Sequence, residues 1–456
     1  MFVETIKTPG LAQLSYVIGS DGQAAVIDPR RDVEIYVEVA RAKDCRITRI
    51  FETHRNEDLI SGAPVLAELT GAGVHHGPNA AADVRYADVV RENDEFPIGK
   101  AKLRVLETPG HTDDSLSFVL SDTEFGDDPV AVFTGDALFV GDVGRTDFYP
   151  DRAREVAGSL FDSLQKILDL GDQTVLYPAH GAGSVCGSGM ADREVSTIGY
   201  ERRNNPRLKI TDRDRFIDAK LAEHHDYPPY FEQMETLNLS GAPAMRRLLT
   251  PQPLAASDMK SALAESVPVD VRSTSAFLGA HLPGSLSLPV NMISAFAGWI
   301  LDYDDQLVLI ADDADDAEEA ARHLGRIGFD RVVGYLEPSL PAWAAAGESF
   351  GTLPVVGADQ VKERKERSLA DWVLLDVRGE EEVAAAQIDG AQHVYVGALP
   401  AEAARLPRDK QYTVMCASGA RATVAASILL RRGFHNVDLF LGSMGAWKSQ
   451  GYDVDH

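Results

Sequence analysis

Residues able to bind a metal or act as a nucleophile are concentrated in five short segments of this 456-residue chain. Four carry imidazoles and carboxylates: Thr53-His54-Arg55-Asn56-Glu57-Asp58-Leu59, Pro109-Gly110-His111-Thr112, Thr134-Gly135-Asp136 and Tyr177-Pro178-Ala179-His180. Each follows a stretch that reads as a β-strand and begins a loop. Strand ends are where layered α/β scaffolds place ligands, because the frame is rigid and the loop is free to vary. The fifth segment, Val414-Met415-Cys416-Ala417-Ser418-Gly419-Ala420-Arg421, is an apolar strand entering a tight loop, with a helix from about Ala422. Such a loop turns successive backbone N–H groups inward, and the helix adds its positive end. Both favour the nucleophilic thiolate at Cys416, with Ser418 and Gly419 shaping the loop and Arg421 adding a fixed positive charge. That thiolate could take up a sulfane sulfur as a persulfide and pass it to another nucleophile. Cys45 and Cys186 have no base or helix start beside them in the sequence and read as buried small residues.

The surrounding elements alternate. Leu14–Gly19 and Ala24–Asp28 read as strands joined by an Asp21-Gly22 hairpin turn. Asp32–Ala42 reads as a helix, Ile47–Thr53 as a strand and Glu57–Thr70 as a helix. Ala101–Glu107, Leu116–Leu120, Val130–Gly135 and Thr174–Tyr177 read as strands, with a helix over Arg154–Asp169. Hairpin and crossover strands together mean a layered α/β domain. Leu239–Ala264 has no clear period and reads as a linker. Beyond it lies an internal repeat: Pro268-Val-Asp-Val-Arg272 returns as Leu374-Leu-Asp-Val-Arg378, Leu307–Ala311 as Tyr412–Cys416, and Ala342-Trp343 as Ala446-Trp447. The near-constant spacing predicts two copies of one domain. The expected limits are 1–250, 251–352 and 353–456. In the first copy Ala311 stands where the second has Cys416, and Asp316 where it has Arg421. With Asp312, Asp313 and Asp315 alongside, that loop inverts the charge a persulfide anion needs, so a structural or docking role is expected.

Over about residues 1–240 the four metal segments resemble the metallo-β-lactamase superfamily, whose signature is Thr-His-x-His-x-Asp-His followed by a His, a bridging Asp and a final His. The resemblance implies an αββα sandwich. Asn56 and Leu59 replace two of the family's histidines, which damages the two-metal hydrolase arrangement. What remains together is His54, His111 and Asp136. Two histidines and a carboxylate form the facial triad of non-haem Fe(II) oxygenases, with positions open for substrate and O₂. The persulfide dioxygenase branch is similar in using these matching positions for one iron per chain. Asp58 and His180 are then expected to hydrogen-bond the ligands from outside. Gly141–Phe148 resembles a Gly-Arg-Thr-Asp-Phe run of the same branch. Its Arg145 could clasp a substrate carboxylate or pair internally with Asp147 or Asp142. Ser196–Arg203 resembles a further segment, expected to start a helix beside the thiol substrate. Cys416–Arg421 resembles the rhodanese active loop, Cys-x-x-Gly-x-Arg, over about 353–456.

These resemblances imply oxidation of a low-molecular-weight (glutathione-like) thiol persulfide with O₂ to sulfite, coupled to sulfur transfer through Cys416 with thiosulfate or sulfite. Two other readings stay open: a dinuclear zinc thiolester hydrolase resembling glyoxalase II, and a non-catalytic sulfur-carrier partner. Composition narrows the setting. Net charge is −26, from 44 Lys+Arg against 70 Asp+Glu, which disfavours nucleic acid and anionic membrane surfaces. No signal segment or run of eighteen apolar residues is evident. Three scattered cysteines fit a reducing compartment, so a cytoplasmic location is expected. Oligomeric state is left open, a homo-oligomer included.

Overall fold

Alternation along the first strands decides how the N-terminal unit is layered. Its first sheet runs in sequence order through β1 (Phe2–Thr8), β2 (Gln13–Ser20), β3 (Gln23–Ile27), β4 (Arg46–Phe51), β5 (Gly73–His76) and β6 (Asp88–Val89). Asp21 and Gly22, at φ 50° and 76°, make the hairpin turn between β2 and β3, the positive φ pair that type I′ geometry needs. Along β2, Leu14, Tyr16 and Ile18 face one core while Val17 faces another, as a period of two demands. The second sheet contains β7 (Glu95–Ile98), β8 (Ala101–Glu107), β9 (Leu116–Asp122), β10 (Pro129–Gly135), β11 (Val175–Pro178) and β12 (Ser196–Thr197), again laid side by side in order. Leu103, Val105, Phe118, Leu120 and Phe133 from this sheet meet Tyr16, Ile18 and Phe51 of the first in one buried layer. Helices α1 (Glu34–Ala42) and α2 (Ala63–Thr70) cover the outer face of the first sheet, and α3 (Ala153–Leu168) covers that of the second. This is the αββα sandwich.

The computed structural model describes residues 1–79, 82–187, 189–245, 250–367 and 370–455. They form two compact units: Met1–Met245 with Arg326–Gly328, and Arg246–Gly325 with Phe329–His456. The second unit contains two five-stranded, all-parallel sheets. One is ordered Pro253–Leu254, Val332–Leu336, Leu307–Ile310, Val267–Asp270, Leu286–Ser287; the other is ordered Val355–Val356, Val437–Phe440, Gln411–Met415, Trp372–Asp376, Gln392–His393. The same strand order in both is the repeat made visible. The recurring Asp-Val-Arg is an internal clamp: Arg272 grips Asp270 through Nε and Nη2 at 2.9 and 2.6 Å, and Arg378 grips Asp376 at 2.9 and 2.6 Å. Each arginine also donates to a backbone carbonyl eight residues on, Ala280 and Ala386. The recurring tryptophans donate alike, Trp343 to the Ser349 carbonyl and Trp447 to that of Asp453, both at 2.8 Å.

Two expectations need correction. The helix expected over Glu57–Thr70 starts only at Ala63, with Pro64 in its first turn; residues 57–62 form a loop because their polar groups turn inward. Within the expected linker Leu239–Ala264, Pro253–Leu254 is a strand and Ala256–Ala262 a helix of the middle domain, too short for their apolar period to show. Residues 246–249 of that stretch lie outside the described residues.

Candidate metal centre and thiol loop

Loops after β4, β8, β10 and β11 bring the four metal segments to one end of the sandwich. His54, Asp58, His111, Asp136 and His180 are all nearly fully buried there. His54 Nε2 lies 3.8 Å and His111 Nε2 3.5 Å from Asp136 Oδ2. The far side of each imidazole is tied down. Asp28 accepts from the Thr53 backbone N–H (2.7 Å) and hydroxyl (2.8 Å), and the Thr53 oxygen lies 2.9 Å from His54 Nδ1. His111 Nδ1–H donates to the Arg145 carbonyl at 3.0 Å. A carbonyl only accepts, so Nε2 is the free face of a neutral His111, the tautomer a metal requires. His180 Nδ1 meets Asp136 Oδ1 at 2.8 Å, and its Nε2 lies 3.1 Å from Asp58 Oδ2.

These atoms carry a mark of cation binding. His54 Nε2, Glu57 Oε2 and Asp58 Oδ1 are buried without hydrogen-bond partners, and His111 Nε2 and His180 Nε2 face only carboxylate oxygens, Glu57 Oε1 at 3.0 Å and Asp58 Oδ2 at 3.1 Å. Unpaired buried polar atoms are costly, and a shared cation would satisfy them. The electrostatics agree. Burial opposes ionisation of Asp136, yet His180 and the other imidazoles hold its carboxyl well below the usual range. Burial drives the His54 pKa down, whereas His111 and His180, despite burial, are raised by the carboxylates facing them. Those carboxylates already gather positive charge, and metal binding would replace the protons.

Two residues join the site that the sequence did not single out for it. Glu57 Oε1 lies 3.0 Å from His111 Nε2. Cys186, expected to be a bland buried residue, is buried but not bland: its Sγ lies 3.6 Å from Glu57 Oε1. Ligand atoms of Glu57, His111, Asp136 and Cys186 all lie within 4.8 Å of one another, and so do those of Asp58, His180 and Cys186. Cys45 is only partly buried. Asn238 Nδ2 donates to the carbonyls of Asn56 and Leu59, both at 2.7 Å, which holds the ligand loop in its course; nothing in the local sequence marks it.

Arg145 makes the internal pairing. Its Nε and Nη2 bind the Asp147 carboxylate at 2.7 Å each, while Nη1 donates to the carbonyls of Val185 and Asp226. The bidentate grip expected on a substrate carboxylate is thus spent on Asp147. The guanidinium lies 4.9 Å from the Phe148 ring, and that ring meets His111 edge-on at 5.2 Å. Ser196 and Thr197 form β12, and Thr197 caps the helix Ile198–Asn204, giving the expected helix start.

Cys416 follows the strand Gln411–Met415 and precedes the helix Ala420–Arg431. Gly419 at φ 121° turns its N–H onto Cys416 Sγ at 3.1 Å; an L side chain disfavours that φ. Ser443 Oγ accepts from the Cys416 N–H at 3.0 Å, and the Ser418 carbonyl accepts from Gly442 N–H at 3.1 Å. Arg421 is bound by Glu382 through both terminal nitrogens, at 2.5 and 2.7 Å. Glu382, the third residue of the helix Glu380–Ala385, is an unforeseen member of the loop's surroundings. In the first copy Ala311 is buried, and Asp313 caps the helix Ala314–Arg326 through the Asp316 N–H at 3.0 Å.

Sandwich and buried cluster together define an αββα protein with a candidate metal site, followed by a duplicated α/β domain. The sequence profile of the Metallo-beta-lactamase superfamily matches residues 8–180, and that of the Rhodanese-like domain matches 255–346 and 357–450. A crystal structure of a metallo-beta-lactamase from Staphylococcus aureus subsp. aureus COL is 32% identical, with a TM-score of 0.67, over 74% of this chain and 98% of that one. The mitochondrial persulfide dioxygenase ETHE1 of Mus musculus is 29% identical over 213 residues, 44% of this chain and 74% of the relative. A beta-lactamase hydrolase-like protein of Xylella fastidiosa (strain 9a5c) is 31% identical over 198 residues, 39% of this chain; the match spans only 42% of that relative's length. The chain belongs to the metallo-beta-lactamase superfamily, in a form joined to two rhodanese-like domains.

Proposed function

We propose that the chain is a persulfide dioxygenase with one Fe(II), held by His54, His111 and Asp136, joined to a sulfurtransferase that works through Cys416. The observation that carries this reading is the convergence of two buried imidazole nitrogens, His54 Nε2 and His111 Nε2, on one carboxylate oxygen of Asp136, where Asn56 and Leu59 leave the histidine set short. Bound there, Fe(II) would supply the open positions at which O₂ and a persulfide sulfur meet. The protein's own part is orientation. The Asp28–Thr53 pair aims His54, the Arg145 carbonyl aims His111, and His180 holds Asp136 ionised. Phe148 covers one side of His111 and keeps water from it. The substrate is a low-molecular-weight thiol persulfide and the product is sulfite.

At the other site, the Cys416 thiolate attacks the outer sulfur of thiosulfate. The S–S bond breaks, sulfite leaves with the electron pair, and Cys416 carries a persulfide. A small thiolate then takes the outer sulfur and returns Cys416 to its thiolate. The Gly419 N–H and the start of the following helix stabilise the anion in both forms, and Arg421, oriented by Glu382, faces the incoming anion. The working division is 1–250, 251–352 and 353–456, with the middle part structural. No helix among the described residues is long and apolar enough to cross a membrane, and action in the cytoplasm is part of the proposal. Metal analysis after anaerobic purification tests the core of it: one iron per chain with persulfide-dependent O₂ uptake is expected, and two zinc ions per chain would refute it in favour of a thiolester hydrolase.

A further inference from the structure

Buried beside the proposed ligands is a sulfur that neither half of the proposed chemistry uses. Cys186 is fully buried, and ionisable side chains lie close to its sulfur. Glu57, Asp58, Asp136, His111 and His180 surround it. Groups around it are short of partners: Glu57 Oε2 and Asp58 Oδ1 are buried and unbonded, and His111 Nε2 and His180 Nε2 face only carboxylate oxygens. The loop that brings Cys186 in is fastened on both sides. Ser184 Oγ accepts from the Cys186 N–H at 3.1 Å, Arg145 holds the Val185 carbonyl, and Asp142 accepts from the Gly189 N–H at 2.8 Å.

We propose that Cys186 is a further direct ligand of the metal held by His54, His111 and Asp136, its thiolate reaching the ion from the side where Glu57, His111 and Asp136 lie close to it. The proposal rests on the metal site described above but not on its reaction. The metal–sulfur bond forms as the S–H proton leaves to solvent, as metal binding to a thiol requires. A thiolate makes the set soft, so Fe(II), Co(II) and Zn(II) are preferred over Mg(II) and Mn(II).

Full-length protein loaded anaerobically with Co(II) gives a direct test. Wild type should show a near-ultraviolet thiolate-to-cobalt charge-transfer band that saturates at one cobalt per chain. Cys186→Ser should lose the band and bind cobalt at least about tenfold more weakly, the scale on which altered metal surroundings act. The chain has three cysteines, so a Cys45→Ser/Cys416→Ser double variant leaves Cys186 alone; there the band should persist, which decides the matter even if Cys186→Ser does not fold. Cobalt binding without the band overturns the thiolate ligand and leaves the proposed metal site standing. A band that grows only with a second equivalent moves the sulfur to the Asp58–His180 side and equally overturns it. No cobalt binding at all removes both this proposal and the metal site beneath it.

Discussion

Asp28 never touches the proposed metal, yet Asp28→Asn should weaken metal binding while leaving the metal-free fold intact or firmer. In the native relay the ionised carboxylate accepts the Thr53 hydroxyl proton, so the Thr53 oxygen is free to accept His54 Nδ1–H, and Nε2 keeps its lone pair. An asparagine that still accepts the Thr53 backbone N–H must turn its NH₂ toward the hydroxyl. Thr53 then donates to His54 Nδ1, and the ring proton moves to Nε2, the wrong tautomer for a ligand. Changes of this kind commonly cost about 10–100-fold in metal affinity. The stability effect has the opposite sign. Burial lifts the Asp28 pKa from 3.8 to about 7, which corresponds to about 4 kcal/mol against the ionised form at about 1.36 kcal/mol per pH unit. Because the folded value is the higher one, the Asp28 contribution to the stability of the metal-free wild type is most favourable below about pH 4 and declines as pH rises to about 7. Asp28→Asn should flatten that decline. Competition with a chromophoric chelator reads the affinity, and denaturant unfolding of the metal-free protein from pH 4 to 8 reads the stability. Unchanged affinity, or a variant as pH-sensitive as wild type, would refute the relay.

His111→Ala should abolish persulfide-dependent O₂ uptake while thiosulfate:thiol sulfur transfer, measured on the same preparation, stays near wild type. Cys416→Ser should do the reverse, and Cys45→Ser and Cys186→Ser should keep transfer; its loss in either folded variant would reassign the carrier. Ala311→Cys in a Cys416→Ser background should give little transfer, because the carboxylates beside it deplete the thiolate; a full graft of the second copy's loop, with Asp316→Arg, should recover some. A Cβ at Gly144 would fall 2.0 Å from the Asp136 carbonyl oxygen and 3.2 Å from His111 Cβ. Gly144→Ala should therefore cost about 1–3 kcal/mol in thermal or denaturant unfolding and release the metal more readily.

The strands and their loop ends were legible in the sequence because period-two alternation survives in Leu14–Ile18 and Leu116–Leu120, whose faces meet different cores. The repeat was legible for a related reason: a buried Asp–Arg pair and a tryptophan tolerate little change. Glu57 was not, since nothing in Asn-Glu-Asp says which carboxylate turns inward; that depends on Asn238, far along the chain, holding the loop. Cys186 escaped because its Gly/Ser-rich surroundings have no period, and apart from His180 its ionisable neighbours come from loops about fifty to one hundred and thirty positions away in the chain. Arg145 could be read either way from sequence, and only the placement of Asp147 decides it.

The Asp–Arg clamp of the last copy adjoins its thiol loop: Asp376 pairs with Met415 in the sheet, and Arg378 Nη1 donates to the carbonyl of Glu382, whose carboxylate holds Arg421. In the middle copy Asp270 pairs in the same way with Ile310, the residue before Ala311. The clamp therefore frames the loop position in both copies, and the chemistry is set by the side chains that occupy it. A frame kept under two such different loops makes the middle copy a host into which new loop chemistry could be installed, beside a working copy that serves as an internal standard on one polypeptide.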